Sequence, residues 1–413
     1  MSSSEFYPAT GWILLFLRTI VLLQINEKPT SSFALFNLGF RPFFLLAGWS
    51  AVVLMSLWAL MYTNTLHLNN YYGFIDWHSH EMLFGYASAV IAGFLLTAVR
   101  NWTGVQTITK TPLAILALVW LLARILPFTP VPGVLIVLVD ISFFLLLALA
   151  VAHPIIKAKQ WHNIIMVVII SAFMLADILV QLQHLGITTG TLIPGNTLAL
   201  YSILMIIQVL TGRVMPFFTR VVVPGTQVVE RPLLEKVLLY TLVLLGLADV
   251  FALNGLIIAL LAAVMLVAHL MRVMPWFSKP VLNIPILWVL YAGYLWLIIG
   301  FAMKLLVGLE LVTNNLAIHA WTVGVIGITT YGMMARVSLG HTGREMVPPK
   351  FAVWGFYLLF IAALLRVFMP LIALSQYVLW IEISITLWIV AFVFFSLAYT
   401  PILSAPRVDG QEG

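Results

Sequence analysis

The sequence contains no cysteine and very little charge. Without a thiol among its 413 residues, disulfides, thiolate metal sites, iron–sulfur clusters and covalent haem attachment are excluded. Any transition metal must rest on His, Met, Asp, Glu or Tyr. Charged residues make up 8% of the chain and hydrophobic ones 63%, whereas an ordinary soluble chain carries roughly 25% charge. This composition reads as an all-α, polytopic integral membrane protein in contact with the lipid bilayer. The net charge of +6 is small and is distributed by topology rather than gathered into a patch, so nucleic acid is not an expected partner.

Apolar runs long enough to cross a bilayer, which takes roughly 17–25 residues, fall at about 40–62, 80–99, 111–127, 133–152, 162–183, 197–216, 233–252, 255–272, 284–306, 317–337, 351–370 and 376–400. Pro, Gly and Asn mark the breaks between them. Of the 20 Lys and Arg, only Arg124, Lys304 and Arg366 fall on the second side of this twelve-helix arrangement. The positive-inside rule makes the other side, with both termini, cytoplasmic. Residues 1–33 read as an N-terminal extension with a short interfacial helix at 11–25, and no cleaved signal peptide is expected. Residues 34–402 form one membrane domain, and 403–413 a tail. The loop at 213–236 separates helices 1–6, about 40–216, from helices 7–12, about 233–400. No convincing sequence repeat links the halves.

The stretch 76–93, DWHSHEMLFGYASAVIAG, concentrates imidazole and carboxylate where a membrane helix begins. Such groups are costly in lipid unless water, a partner or a metal satisfies them. At 3.6 residues per turn His78 shares a face with Glu81, Met82 and Gly85, while His80 points about 200° away. The two are therefore expected to serve different partners. Sorted by side, His67, His78, His80, His184 and His319 are outer, and His153, His162, His269 and His341 are inner. A single helix-end histidine is more often interfacial, which is the reading for His67, His153, His162 and His269. His78, His80, His184 and His319 gather at the ends of three helices on one face, as expected of a metal site. Asp177, Gln181 and His184 form a polar stripe on the fifth helix. Glu81, Asp140, Asp177 and Glu382 are candidates for support of a metal or for a proton path. Arg124, Lys304 and Arg366 can pair with such acids or with cofactor carboxylates. Gly340 and Gly343 flank His341 and permit close approach of a planar ligand or another backbone.

The segments WHSHEMLFGY, AGFLLTAVRNWTG, GRVMPFFTR and IHAWTVGVIGITTYGMMARVSLGHTGR, in that order, resemble the NnrS family of bacterial inner-membrane proteins from about Ala34 onward. The resemblance implies twelve membrane helices, non-covalent haem b, copper, and a role in the response to nitric oxide and nitrosative stress, often beside denitrification genes. It implies metal-ligand roles for His78, His80, His319 and His341, with His184 a looser match. Where the family pattern leads one to expect a histidine in the ninth helix, this chain has Tyr291. Imidazoles without thiolates suit haem iron and copper, and Met82 and Met333 offer soft thioethers to Cu(I). Haem propionates at the inner face would find Arg213, Arg220 and Arg336.

Three functions follow as expectations. The first is a haem- and copper-containing protein that binds or redox-converts nitric oxide, drawing on an electron donor or partner protein. The second is a transporter of a metal, haem or small solute. The third is an assembly or signalling factor for denitrification enzymes.

Overall fold

The computed structural model describes residues 33–223 and 231–411; the interfacial helix expected at 11–25 lies outside them. Among the described residues there are twelve long helices and no strand. They are α1 (Phe40–Tyr62), α2 (Phe74–Thr103), α3 (Lys110–Phe128), α4 (Gly133–Lys157), α5 (Trp161–His184), α6 (Leu192–Val222), α7 (Pro232–Val250), α8 (Gly255–Val273), α9 (Pro285–Gly308), α10 (Asn314–Gly340), α11 (Lys350–Ile372) and α12 (Leu374–Ser404). Eleven are long and apolar enough to cross a membrane. The exception is α7, which carries Glu235, Lys236 and Asp249 within 19 residues.

Burial sorts the helices into two layers. The most apolar stretches of α2, α9, α6 and α10 are 89%, 78%, 72% and 67% buried, against 39–44% for the other seven spans. The first four form the centre, and the outer helices turn residues such as Leu138, Leu149, Leu260 and Val267 outward, as lipid-facing surfaces require. The last helix packs against the first, and the Ala34 amide donates to the Ser404 carbonyl at 2.9 Å. The chain therefore closes on itself.

Both α2 and α10 widen into a π-helical stretch immediately after a histidine: Glu81–Ala87 follows His80, and Ala320–Gly327 follows His319. Bonding from i to i+5 alters carbonyl pairing, and nearby side chains take up the strain of that change. The Ser88 hydroxyl donates to Phe84 and Gly85 carbonyls, and the Trp120 indole N–H donates to the Gly85 carbonyl at 3.1 Å. In α10 the Thr330 hydroxyl bonds the Ile326 carbonyl and lies 2.6 Å from the Tyr86 hydroxyl. The two widened segments are thereby tied together in the core. A small apolar cleft of about 60 Å³ lies beside this contact, lined by residues including Ala87, Val90, Ile203, Met215, Thr330 and Met333.

Candidate metal centre

His78 and His80 diverge, and each meets different helices. His80 is fully buried. Its Nε2 lies 2.8 Å from Asp140 Oδ2 on α4 and 3.4 Å from Asp177 Oδ1 on α5, and its Nδ1 lies 3.4 Å from Glu81 Oε1. Arg124 on α3 bridges the acids, with Nη2 2.5 Å from Asp140 Oδ1 and Nη1 3.2 Å from Glu81 Oε2. Gln181 closes the group: its amide N–H donates to Asp140 Oδ2 at 3.0 Å and to Asp177 Oδ1 at 3.3 Å. It also donates to the Tyr72 hydroxyl at 2.8 Å, and that hydroxyl in turn donates to Asp140. Burial, with the Asp140 and Asp177 carboxylates, holds the Tyr72 hydroxyl well above its ordinary pKa, so it remains a donor.

The partner of Glu81 departs from helical phase. The α-helical period puts Glu81 and Gly85 on the His78 face, yet both sit beside Arg124 on the His80 side. The widened turn starts at Glu81, so each later step turns by less than in an α-helix and Gly85 rotates toward the His80 side, while Glu81 reaches Arg124 with its long side chain. At Gly85 a Cβ would stand 2.8 Å from Glu81 Oε2 and 3.0 Å from Arg124 Nη1, so any larger residue would push this ion pair aside.

The group is rich in acceptors and excess negative charge. Three carboxylates face one guanidinium, and protonating His80 still leaves a net negative charge. Asp177 Oδ2 and Gln181 Oε1 are buried with no hydrogen-bond partner. Buried acceptors are rarely left so, and a cation would satisfy both. One ligand atom each from His80, Asp140 and Asp177 lie within 4.8 Å of one another. One imidazole nitrogen with carboxylate and amide oxygens suits a divalent ion of the Mn, Fe, Zn or Cu(II) kind, and a second donor shell orients them as metal sites require.

His184 stands at the rim. Its ring packs edge-on to Tyr72, 5.1 Å between centroids, and Nε2 lies 3.9 Å from Asp76. His78 stacks on Trp58 of α1 at 4.1 Å. His319 donates from Nδ1 to the Asn315 carbonyl at 2.8 Å, and its Nε2 accepts from Arg366 Nη2 at 3.1 Å. Met333 lines the apolar cleft and Met82 packs against the core. Glu382 is half-buried on α12, apart from the His80 group. Tyr291 bonds the Thr219 hydroxyl and the Trp276 carbonyl, each at 2.8 Å, which occupies its hydroxyl.

At the opposite end of α10, His341 rests against Phe40 and accepts at Nε2 from the Asn101 amide at 3.4 Å. Burial, then Arg407, Arg100 and Arg41, push its pKa down to about 4. The backbone that approaches its glycine loop is the chain's own tail. Arg407 donates to the His341 carbonyl, the Val408 amide to the Thr342 carbonyl, and Asp409 lies against Gly343. Arg213 instead bonds Asn163 at 2.9 Å and stands over Trp102, Arg336 stands over Phe218 at 3.5 Å, and Arg220 is exposed. The arginines around His341 were hidden because they come from separate parts of the chain: Arg41 near the start of α1, Arg100 at the end of α2 and Arg407 in the tail.

Two outcomes follow. Arg124→Gln leaves Glu81 and Asp140 buried without their cation, and unfolding in detergent should show a loss of about 3–5 kcal/mol, part of it recovered by adding Asp140→Asn. His341 is neutral when folded but titrates near 6.5 when unfolded. The unfolded state alone takes up the proton between pH 6.5 and about 4, so stability falls as pH is lowered through that window. In metal-free protein, a thermal melt of His341→Gln should lack this part of the acid slope.

A search of curated proteins finds no match. Residues 34–407 match the family model described as NnrS protein. A multi-pass helical chain with a buried His/Asp/Asp group fits a metal-binding membrane protein, and by this match over nearly its whole length the chain belongs to the NnrS family.

Proposed function

We propose that this protein handles nitric oxide in the bacterial inner membrane, with copper held by His80, Asp140 and Asp177 and haem b ligated by His341. The observation that carries the reading is the pair of buried, unpartnered oxygens of Asp177 and Gln181 inside a group with excess negative charge. The donor set contains nitrogen and oxygen only, which favours Cu(II) over Cu(I) among copper states. His341 supports the haem reading: it is neutral at physiological pH, its Nε2 meets only the Asn101 amide at 3.4 Å, and Arg41, Arg100 and Arg407 stand within electrostatic reach. Bound copper and haem iron would supply the open coordination and one-electron chemistry that nitric oxide requires.

The chain's own residues set the conditions for that chemistry. Arg124 holds Glu81 and Asp140 so that the remaining carboxylate, Asp177, has an oxygen to give. Tyr72 and Gln181 donate into the group and fix the carboxylate planes. Tyr71, Tyr72 and His184 pack over the rim and limit water at the buried end. The apolar cleft beside the core suits a small apolar molecule.

Metal analysis and a visible spectrum on the purified, metal-replete full chain test this. Copper should be present with a Soret band that shifts on adding nitric oxide. Asp177→Ala and His80→Ala should weaken copper binding at least tenfold and keep haem, and His341→Ala should do the reverse. A preparation free of both copper and haem contradicts the proposal.

A further inference from the structure

Three basic residues stand at the His80 end of the helices, and two have acids. Arg124 bridges Glu81 and Asp140. Lys304 bonds Asp249 Oδ2 at 2.6 Å and Asn314 at 2.9 Å. Arg366 on α11 is 7% exposed and, among the described residues, has no carboxylate within 4.0 Å. A guanidinium stays charged in any accessible environment, and burying it in a membrane protein without a counter-charge costs several kcal/mol.

Its neighbours leave that charge standing. Nη2 donates to His319 Nε2, a neutral acceptor whose other nitrogen is committed to the Asn315 carbonyl. The Tyr377 ring lies 6.0 Å from the guanidinium carbon, and its hydroxyl is a neutral acceptor for the same group. Nη1 is buried and has no hydrogen-bond partner. His78 is within electrostatic reach of Arg366 and His319 and makes no hydrogen bond among those described. Glu382, which shares Tyr62 as a neighbour with Arg366, is half-buried and makes no ion pair with it. A bare metal cation is disfavoured here by the guanidinium already seated on the imidazole nitrogen.

We propose that Arg366, with His78, His319 and Tyr377 around it, forms a binding site for an oxyanion. Nη1 is the free arm of a fork that can bind two oxygens of one anion, the geometry guanidinium groups favour with phosphate and carboxylate. Tyr377 lies at the start of α12 and also lines a shallow surface hollow formed by residues 374–379, so an anion can arrive from the aqueous or headgroup side. The shared chemistry is a phosphate-like or nitrite-like group, from a free ion or a lipid headgroup. The site stands whether or not the metal reading of the His80 group holds.

The test uses the full chain in nanodiscs, with thermal stability and calorimetry as readouts. In phosphatidylcholine discs, inorganic phosphate or nitrite should bind saturably and raise the melting temperature, and Arg366→Gln should weaken binding at least tenfold. Arg366→Lys, a point charge without the fork, should fall between. Should Arg366→Gln fail to fold, Glu382→Gln, which removes the carboxylate that shares Tyr62 with Arg366, should tighten the anion several-fold. Stabilisation by phosphatidylglycerol discs alone, lost in Arg366→Gln, assigns the anion to the lipid phosphate and supports the site. No response of the wild type to free anions or to anionic lipid overturns it. So does a Glu382→Gln variant that is destabilised and gains no anion affinity, because Glu382 would then be the counter-charge.

Discussion

The buried ion network around Arg124 is the constraint on which the first half of the molecule depends. Its guanidinium, from α3, holds Glu81 of α2 and Asp140 of α4 at once, and His80 joins both to Asp177 of α5. Four helices are therefore fixed at one end by charges that lipid would not tolerate singly. One partner removed leaves an uncompensated charge, whereas the complete set holds a defined geometry. The excess of carboxylates over guanidinium in that set suits a cation.

The widened turns of α2 and α10 serve this arrangement. Each lies directly after a histidine, and each has its altered carbonyls taken up by a hydroxyl, Ser88 or Thr330. Tyr86 links the two through Thr330. The segments that turn histidines toward their partners are thus coupled through the core, although His80 and His319 end in separate groups with opposite charge. One group carries surplus acid around His80, and the other a surplus guanidinium beside His319.

Much of this was legible in the sequence. Apolar runs broken by Pro and Gly marked twelve helices close to their observed ends, and the helical period separated His78 from His80. Asp177 and Gln181, four residues apart, announced a polar stripe that does face His80. The place of Gly85 was not legible, because an α-helical period was assumed where the chain adopts a π-helical one, and the reach of Glu81 to Arg124 on another helix gave no local signal. Partners across long sequence distances were also hidden: Arg41 donates to the Leu403 and Ala405 carbonyls, and Arg407 reaches His341. The arginines Arg213 and Arg336 were conspicuous by sequence, yet each stands over an aromatic ring. Arg366 gave no sign that, unlike Arg124 and Lys304, it would find no acid.

The central claim is that the group around His80 holds a metal ion through nitrogen and oxygen alone. X-ray absorption at the edge of the metal bound by the purified chain addresses it most directly. The proposed site requires a first shell of nitrogen and oxygen with an imidazole contribution, lost in Asp177→Ala and unchanged in Met82→Leu and Met333→Leu. A sulfur scatterer in the first shell, or a spectrum indifferent to Asp177, would contradict it.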